Sequence, residues 1–279
     1  MATNQPRVWL ITGASSGFGR AIAEAALAAG DIVVAAARRT DALADLIASA
    51  PERVTALALD VTDTDRIRAA VGEVLDRHGR VDVLVNNAGR GAIGAAEETS
   101  DTELRDLMDL HFFGPAALSR AVLPGMRERG TGAIVQMSSM GGRFTFPGVG
   151  AYSATKFALE GWSEALAKEV ERFGIRVLIV EPGAFRTAFG NTDALRHMPV
   201  HAAYKDTLAS IRGVMHDMHG AQPGDPAKAA RAVVQALEAE VTPLRLQLGA
   251  DSIGAVRAHA QKLLEDLANW EATGADTAL

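Results

Sequence analysis

Tyr152 and Lys156 stand four residues apart in Tyr-Ser-Ala-Thr-Lys, a spacing that puts both side chains on one face if the segment is helical. A phenol titrating near 10 is a poor acid–base group at neutral pH. A nearby ammonium favours the phenolate, and bringing Tyr152 toward 7 asks its surroundings for roughly 4 kcal/mol. The chemistry open to the pair is proton transfer to or from an oxygen. Taken alone, the two residues read equally well as a surface tyrosine packed over a lysine stem. Their setting favours chemistry. A short way upstream, an apolar run ends in Gln136-Met-Ser138-Ser139, and two others end in Asn86-Asn87-Ala88-Gly89 and Glu181-Pro182-Gly183. In parallel α/β sheets, such breaks at strand ends face the crevice where ligands bind.

A further break, Thr12-Gly13-Ala-Ser15-Ser16-Gly17-Phe18-Gly19, joins the first apolar run to an Ala-rich helical one. Glycines there allow a tight turn and let backbone approach a pyrophosphate at a helix N-terminus, where free N–H groups and the dipole favour an anion. The spacing is G-x-x-x-G-x-G rather than G-x-G-x-x-G. A glycine triplet is weak by itself, but strand, loop and helix come in the right order for a dinucleotide. An NAD site usually carries an acid roughly 20 residues beyond the glycines. This stretch instead reads Ala35-Ala36-Ala37-Arg38-Arg39, with no acid before Asp41. The arginines suit a 2′-phosphate, so NADP(H) is favoured over NAD(H). As a plain alternative they are two solvated arginines opening a helix.

The elements that must position these groups alternate. Strands are expected at 8–12, 32–37, 54–59, 81–85, 133–138, 175–180 and 244–248. Helices are expected near 19–29, 42–48, 65–77, 102–129, 154–173 and 226–239. The strands are apolar throughout, as a sheet buried on both faces requires. Strand–helix alternation with right-handed crossovers predicts an α/β, doubly wound parallel (Rossmann) sheet of about seven strands with helices on both faces. The rhythm fails at about 188–224, read as a substrate flap before the last strand, and a C-terminal helix is expected at about 252–270. One domain spanning 1–279 is the expected organisation.

Together these residues resemble the short-chain dehydrogenase/reductase family in its single-domain form, over nearly the whole chain from Val8 to Leu248. Five motifs carry the resemblance in order: T-G-x-x-x-G-x-G, N-N-A-G, a serine, Y-x-x-x-K and P-G-x-x-x-T. The resemblance implies hydride transfer between a nicotinamide and a carbonyl or secondary alcohol. Tyr152 would be the acid–base group, and Ser139 would hydrogen-bond the reacting oxygen. Lys156 would lower the tyrosine pKa and bind the nicotinamide ribose. Gly13, Ser15, Ser16, Phe18 and Gly19 would wrap the pyrophosphate side, Arg38 would meet the 2′-phosphate, and Asp60 and Val61 would flank the adenine. Asn87, Ala88 and Gly89 would border the ribose, while Pro182, Gly183 and Thr187 would hold the nicotinamide. Ser138 should face the other way along its strand and be structural. The C-terminal part is similar to bacterial 17β-hydroxysteroid-dehydrogenase-like members.

One position departs from the family pattern. Where an asparagine is usual in the helix after the fourth strand, this chain reads Asp109-Leu-His111-Phe-Phe-Gly114. A histidine there could anchor a proton relay and, unlike asparagine, titrate near neutrality. The alternative is a packing residue. In the flap, His197, His201, His216 and His219 have helical spacings that could bind zinc, but no HExxH pattern accompanies them and no metal is expected. Phe144, Phe146, Phe185, Phe189, Met198, Met215 and Met218 could line an apolar substrate pocket, although core packing explains each equally well.

The sequence has 279 residues, no cysteine and a net charge of −6. These features exclude thiol chemistry and make nucleic acid an unexpected partner. No apolar stretch approaches the roughly 18 residues of a bilayer span, so no membrane association and a cytoplasmic location are expected. A homo-oligomer paired through the long helices at 102–129 and 154–173 is expected from the resemblance. Two rival readings are a non-catalytic NADP-sensing protein on the same fold and an epimerase or dehydratase. Against the first stand Ser139, Tyr152 and Lys156. Against the second stand the glycine spacing and the absence of a larger C-terminal domain.

Overall fold

The computed structural model describes residues 5–187, 189, 194–217 and 220–277, and no side chains within 214–217. Strands β1 (Val8–Thr12), β2 (Ile32–Ala37), β3 (Val54–Ala58), β4 (Val83–Asn86), β6 (Gly132–Met137), β7 (Ile175–Pro182) and β9 (Arg245–Leu248) form one parallel sheet. Their spatial order is β3-β2-β1-β4-β6-β7-β9. The order reverses between β1 and β4, and this switch opens the crevice at the carboxyl edge. The fold is the expected doubly wound sheet.

Alternate residues of each strand feed opposite cores, which is why the strands are apolar throughout. Trp9, Ile11, Val33, Ala35, Val83, Val85 and Leu178 pack beneath α1 (Gly17–Ala28) and α8 (Pro226–Glu238). Leu10, Val34, Leu84, Ile134 and Val177 pack on the other face beneath α3 (Thr64–His78), α5 (Gly114–Arg129) and α6 (Gly150–Val170). A short helix, α2 (Ala44–Ser49), links β2 to β3.

Three features differ from expectation. The helix expected at 102–129 is interrupted: α4 (Asp101–Met108) passes through a π-helical turn, Asp109–Phe113, into α5. A Cβ on Gly114 would fall 2.3 Å from the Val61 carbonyl, so glycine lets α5 start flush against the end of β3. A second small parallel sheet pairs β5 (Gly91–Ile93) with β8 (Leu195–His197) in the flap, which continues into α7 (Lys205–Asp217). The C-terminal helix α9 runs from Ala250 to Ala275, beyond the expected stop at 270. Among the described residues, no helix is long and apolar enough to cross a membrane.

Candidate active site

The glycine loop is held by the end of β4. The Thr12 hydroxyl donates to the Val85 carbonyl (3.2 Å) and accepts from the N–H groups of Asn87 (2.9 Å) and Ala88 (3.1 Å). The Asn87 amide donates to the carbonyls of Thr12 (2.8 Å) and Gly13 (3.3 Å). Gly13 adopts φ +64°, a left-handed conformation that favours glycine. A Cβ on Gly19 would lie 2.4 Å from the Gly13 carbonyl oxygen and 2.5 Å from the Asn87 amide. Asn87 therefore braces the loop with its side chain amide.

Within α1 the first backbone bond runs from Arg20 to the Ser16 carbonyl, leaving the N–H groups of Gly17, Phe18 and Gly19 without intrahelical acceptors. Ser16 is exposed, its side chain makes no cap bond, and the first turn holds no acid. These features fit a pyrophosphate, with Ser15 beside them in the loop. The Phe18 ring packs on Phe185, centroids 5.1 Å apart, and so closes the loop's far side. Arg38 and Arg39 are exposed immediately beyond β2. Asp60 accepts from the backbone and hydroxyl of Thr62 in a local turn, and Val61 is buried beside it.

Tyr152 lies in the first turn of α6, which begins earlier than the expected 154. Lys156, one turn on, is buried, and its ammonium donates to the Met137 carbonyl at the end of β6 (2.7 Å) while lying 5.7 Å from the Tyr152 ring centroid. The Ser139 hydroxyl accepts from the Gly141 N–H (3.0 Å). A Cβ on Gly141 would sit 3.4 Å from Ser139 Oγ and 3.5 Å from Tyr152 Cε1. The serine and the tyrosine thus flank one small space. Ser138 is buried, with its hydroxyl unpartnered, and points toward Gly142 and Glu160.

The Tyr152 ring is half-buried, but protein around its hydroxyl makes desolvation dominant and pushes the phenol up to about 12, with a hydrogen bond from Ser139 pulling the other way. Lys156 falls to about 8, chiefly by desolvation, opposed by the Glu160 carboxylate. At the phenol, desolvation outweighs the Ser139 hydrogen bond. The ammonium donates to the Met137 carbonyl and lies 5.7 Å from the ring centroid.

His111 sits in the π turn and is 1% exposed. Its Nε2 accepts from the Arg90 N–H (3.1 Å), and Nδ1 lies 2.9 Å from the Thr155 hydroxyl, which donates to the Tyr152 carbonyl (2.7 Å). With Nε2 accepting and the Thr155 hydroxyl hydrogen directed elsewhere, Nδ1 carries the proton. Burial and the Lys156 and Arg90 charges hold the imidazole well below its usual pKa. The expected near-neutral titration is corrected: His111 remains neutral through physiological pH. Gly89 makes room for it, since a Cβ there would lie 3.1 Å from Nε2.

At the carboxyl end of the sheet, β7 ends at Pro182, and the following loop is held by a residue that sequence reasoning missed. Asp251, in the first turn of α9, accepts from the Ala184 N–H (2.7 Å), and a Cβ on Gly183 would meet its carboxylate at 2.2 Å. Thr187 lies against Gly17, whose Cβ would be 3.3 Å from the threonine Cβ. The loops after β1 and β7 therefore adjoin.

The expected pocket residues divide. Phe189 stands edge-on to Tyr152 with centroids 6.0 Å apart, whereas Phe185 packs on Phe18 and Met198 is buried against Ala92 and Leu107. Phe144 lies between Phe146 (6.5 Å) and His259 (5.8 Å). The Met198 and Phe185 positions are thus packing rather than pocket. Of the flap histidines, His197 is exposed and His201 Nδ1 accepts from the Ala203 N–H. Among the described residues, no group of three or more His, Asp or Glu is arranged to hold a metal. Met218 and His219 lie outside the described residues, as do the side chains of Met215 and His216. A separate surface groove of about 380 Å³, lined by Asp101, Leu104, Arg105, Met108, Asp109 and Phe113, includes none of the site residues.

A sheet switch with this glycine loop and a Tyr–Lys pair at its carboxyl edge matches one family. Residues 7–196 fit the family model described as short chain dehydrogenase. Oxidoreductase BOA17 of Botryotinia fuckeliana is 38% identical over 248 residues, covering 88% of this chain and 90% of its own. The crystal structure of a short-chain dehydrogenase from Streptomyces avermitilis superposes with TM-score 0.94 at 55% identity, covering 99% of this chain and all of that one. A Burkholderia phymatum short-chain dehydrogenase/reductase in complex with NAD shares the fold, with TM-score 0.84, 24% identity and coverage of 95% and 97%. An alcohol dehydrogenase from Thermococcus sibiricus, complexed with 5-hydroxy-NADP, has TM-score 0.71 and 27% identity, covering 88% of this chain and 96% of that one. The chain belongs to the short-chain dehydrogenase/reductase family and is an oxidoreductase.

Proposed function

We propose that this protein is an NADP(H)-dependent reductase or dehydrogenase acting on an apolar carbonyl or secondary alcohol. One observation carries the reading: Ser139, Tyr152 and Lys156 converge at the end of β6, beside loops whose free N–H groups suit a dinucleotide. The bound nicotinamide supplies or accepts hydride. Tyr152 gives the proton to the carbonyl oxygen, or takes it in the alcohol direction, while Ser139 hydrogen-bonds the same oxygen. Lys156 holds the nicotinamide ribose. A phenol held near 12 within the chain alone suits the donating role, and the positive charge of an oxidised nicotinamide is what would lower it for the reverse.

The pyrophosphate falls to Gly13, Ser15, Ser16, Phe18 and Gly19, the adenine to Asp60 and Val61, and the ribose to Ala88, Gly89 and the Asn87 backbone. Pro182, Gly183 and Thr187 hold the nicotinamide. NADP(H) rather than NAD(H) rests on exposed Arg38 and Arg39 where an acid would select NAD. The solved relatives holding NAD and a derivative of NADP support a nicotinamide dinucleotide in general. Phe189 against Tyr152 favours an apolar substrate. Exposed Phe113 and Phe157, on or beside the long helices, favour a homo-oligomer formed there, and a cytoplasmic location accords with a nicotinamide-dependent reductase. The test is a carbonyl panel monitored at the nicotinamide absorbance with NADPH and NADH compared. Turnover that prefers NADPH and disappears in Tyr152→Phe supports the reading. NADP binding without turnover of any substrate, in the parent as in the Tyr152→Phe variant, overturns it in favour of a sensing role.

A further inference from the structure

The flap is fastened to the body by two buried carboxylates. Glu98 accepts from the His201 N–H (2.8 Å) and pairs with Arg212 of α7 (2.8 Å). Glu103 of α4, 3% exposed, lies between two arginines: Oε1 accepts from Arg90, and Oε2 is 2.7 Å from Arg196 of β8, an ion pair without hydrogen-bond geometry. Glu103 differs from Glu98 in where its other arm leads. The backbone of Arg90 donates to His111 Nε2, and His111 Nδ1 contacts Thr155, whose hydroxyl is bound to the Tyr152 carbonyl. His111 also meets the tyrosine ring edge-on, centroids 5.5 Å apart. Residue by residue, polar contacts therefore run from the flap strand to the backbone and ring of the proton donor. The β5–β8 ladder reinforces the first link, because Arg90 directly precedes β5 and the Gly91 N–H donates to the Ala194 carbonyl (2.7 Å).

We propose that Glu103 is a positioning residue which, through Arg90 and His111, makes seating of the flap and aiming of Tyr152 a single event. The inference rests on the catalytic reading of Tyr152 given above. It also assigns the histidine in place of the family asparagine a purpose that requires no titration. A neutral imidazole with both nitrogens engaged is a rigid spacer between the Arg90 backbone and the Tyr152 turn. The two arms of Glu103 differ in strength. Arg90 is mostly buried, whereas the Arg196 side chain is 61% exposed, so solvent weakens the flap arm and allows it to break and re-form.

The test uses the full chain and the best carbonyl substrate from the panel with NADPH. Arg196→Met cuts the chain at its exposed end without touching the proton donor. It is expected to lower kcat about two- to fivefold with a small change in KM, the size of a partly exposed ion pair. Glu103→Ala, which removes both arms, is expected to lower kcat more than tenfold while thermal unfolding still shows one folded population. The deciding measurement is the double variant Arg196→Met with His111→Asn. If its kcat loss is no greater than that of the worse single change, the residues act along one path. If the losses multiply, or if Arg196→Met raises KM and leaves kcat intact, Glu103 only anchors the flap and the inference fails. Failure of the underlying catalytic reading is separate: Tyr152→Phe would then leave turnover of the same substrate unchanged.

Discussion

The imidazole of His111 stands edge-on to the phenol of Tyr152, with 5.5 Å between ring centroids and an interplanar angle of 85°. Beneath that contact the two residues are joined again through the Thr155 hydroxyl. His111 is thus a wall of the tyrosine site whose shape, rather than charge, matters.

His111→Asn should therefore leave the form of the pH–rate profile between about 6 and 8 unchanged, because a histidine held far below its ordinary pKa does not titrate there. A limb that disappears from this range in the variant would restore the titrating role.

The Lys156 amine, lowered to about 8, is expected to set an alkaline limb of kcat/KM, since the proposed ribose contact needs an ammonium. Burial lowers it and Glu160 raises it, so Glu160→Gln removes the supporting charge. The limb should move to lower pH by about half a unit to one unit. A limb that stays in place would disconnect Glu160 from the amine.

Glu181 is buried under the site, and desolvation, followed by repulsion from Glu160, raises it from 4.5 to about 7. Its folded form binds a proton more tightly than its unfolded form. This contribution to stability is complete below about 4.5 and is lost as pH rises toward 7. Glu181→Gln cannot lose a proton, so its melting temperature should fall less than that of the parent between pH 5 and pH 8. Scanning calorimetry at both pH values is the check, and parallel falls would contradict the shift.

Arg38→Ala should raise KM for NADPH about ten- to a hundredfold, as loss of a charge-assisted pair to the 2′-phosphate implies, and leave KM for NADH within about twofold. Equal effects on both nucleotides would mean that Arg38 does not read the phosphate.

The sheet was legible because every central strand is buried on both faces, so runs such as Val8 to Thr12 are continuously apolar, and parallel order follows from the helices between them. The small β5–β8 sheet was not legible. Three residues in each strand carry no period, and its clue, small Gly91 and Gly94, has meaning only beside Leu195 and Met198 of the flap. The π turn was equally silent, since nothing in Asp109–Phe113 breaks a helix in sequence. Motif spacing pointed to Tyr152, Lys156 and Ser139. It missed Thr12 and Asp251, which act through backbone groups tens of residues away, and Thr155, whose hydroxyl meets the His111 ring. Charge state was least legible: whether a tyrosine or histidine shifts up or down depends on surrounding atoms that folding brings together.

Asp251 joins the start of the last helix to the loop after β7, while from Ala260 onward every described residue of that helix is exposed. The two ends of α9 therefore differ in what they control. Shaving turns from the outer end leaves the crevice untouched, but inserting even one residue between β9 and Asp251 rotates the carboxylate off Ala184 and unseats the wall against which a nicotinamide would lean. The end of the sheet is a hem stitched into the active centre along the inner turns of that helix, and length tolerance begins only where they give way to solvent.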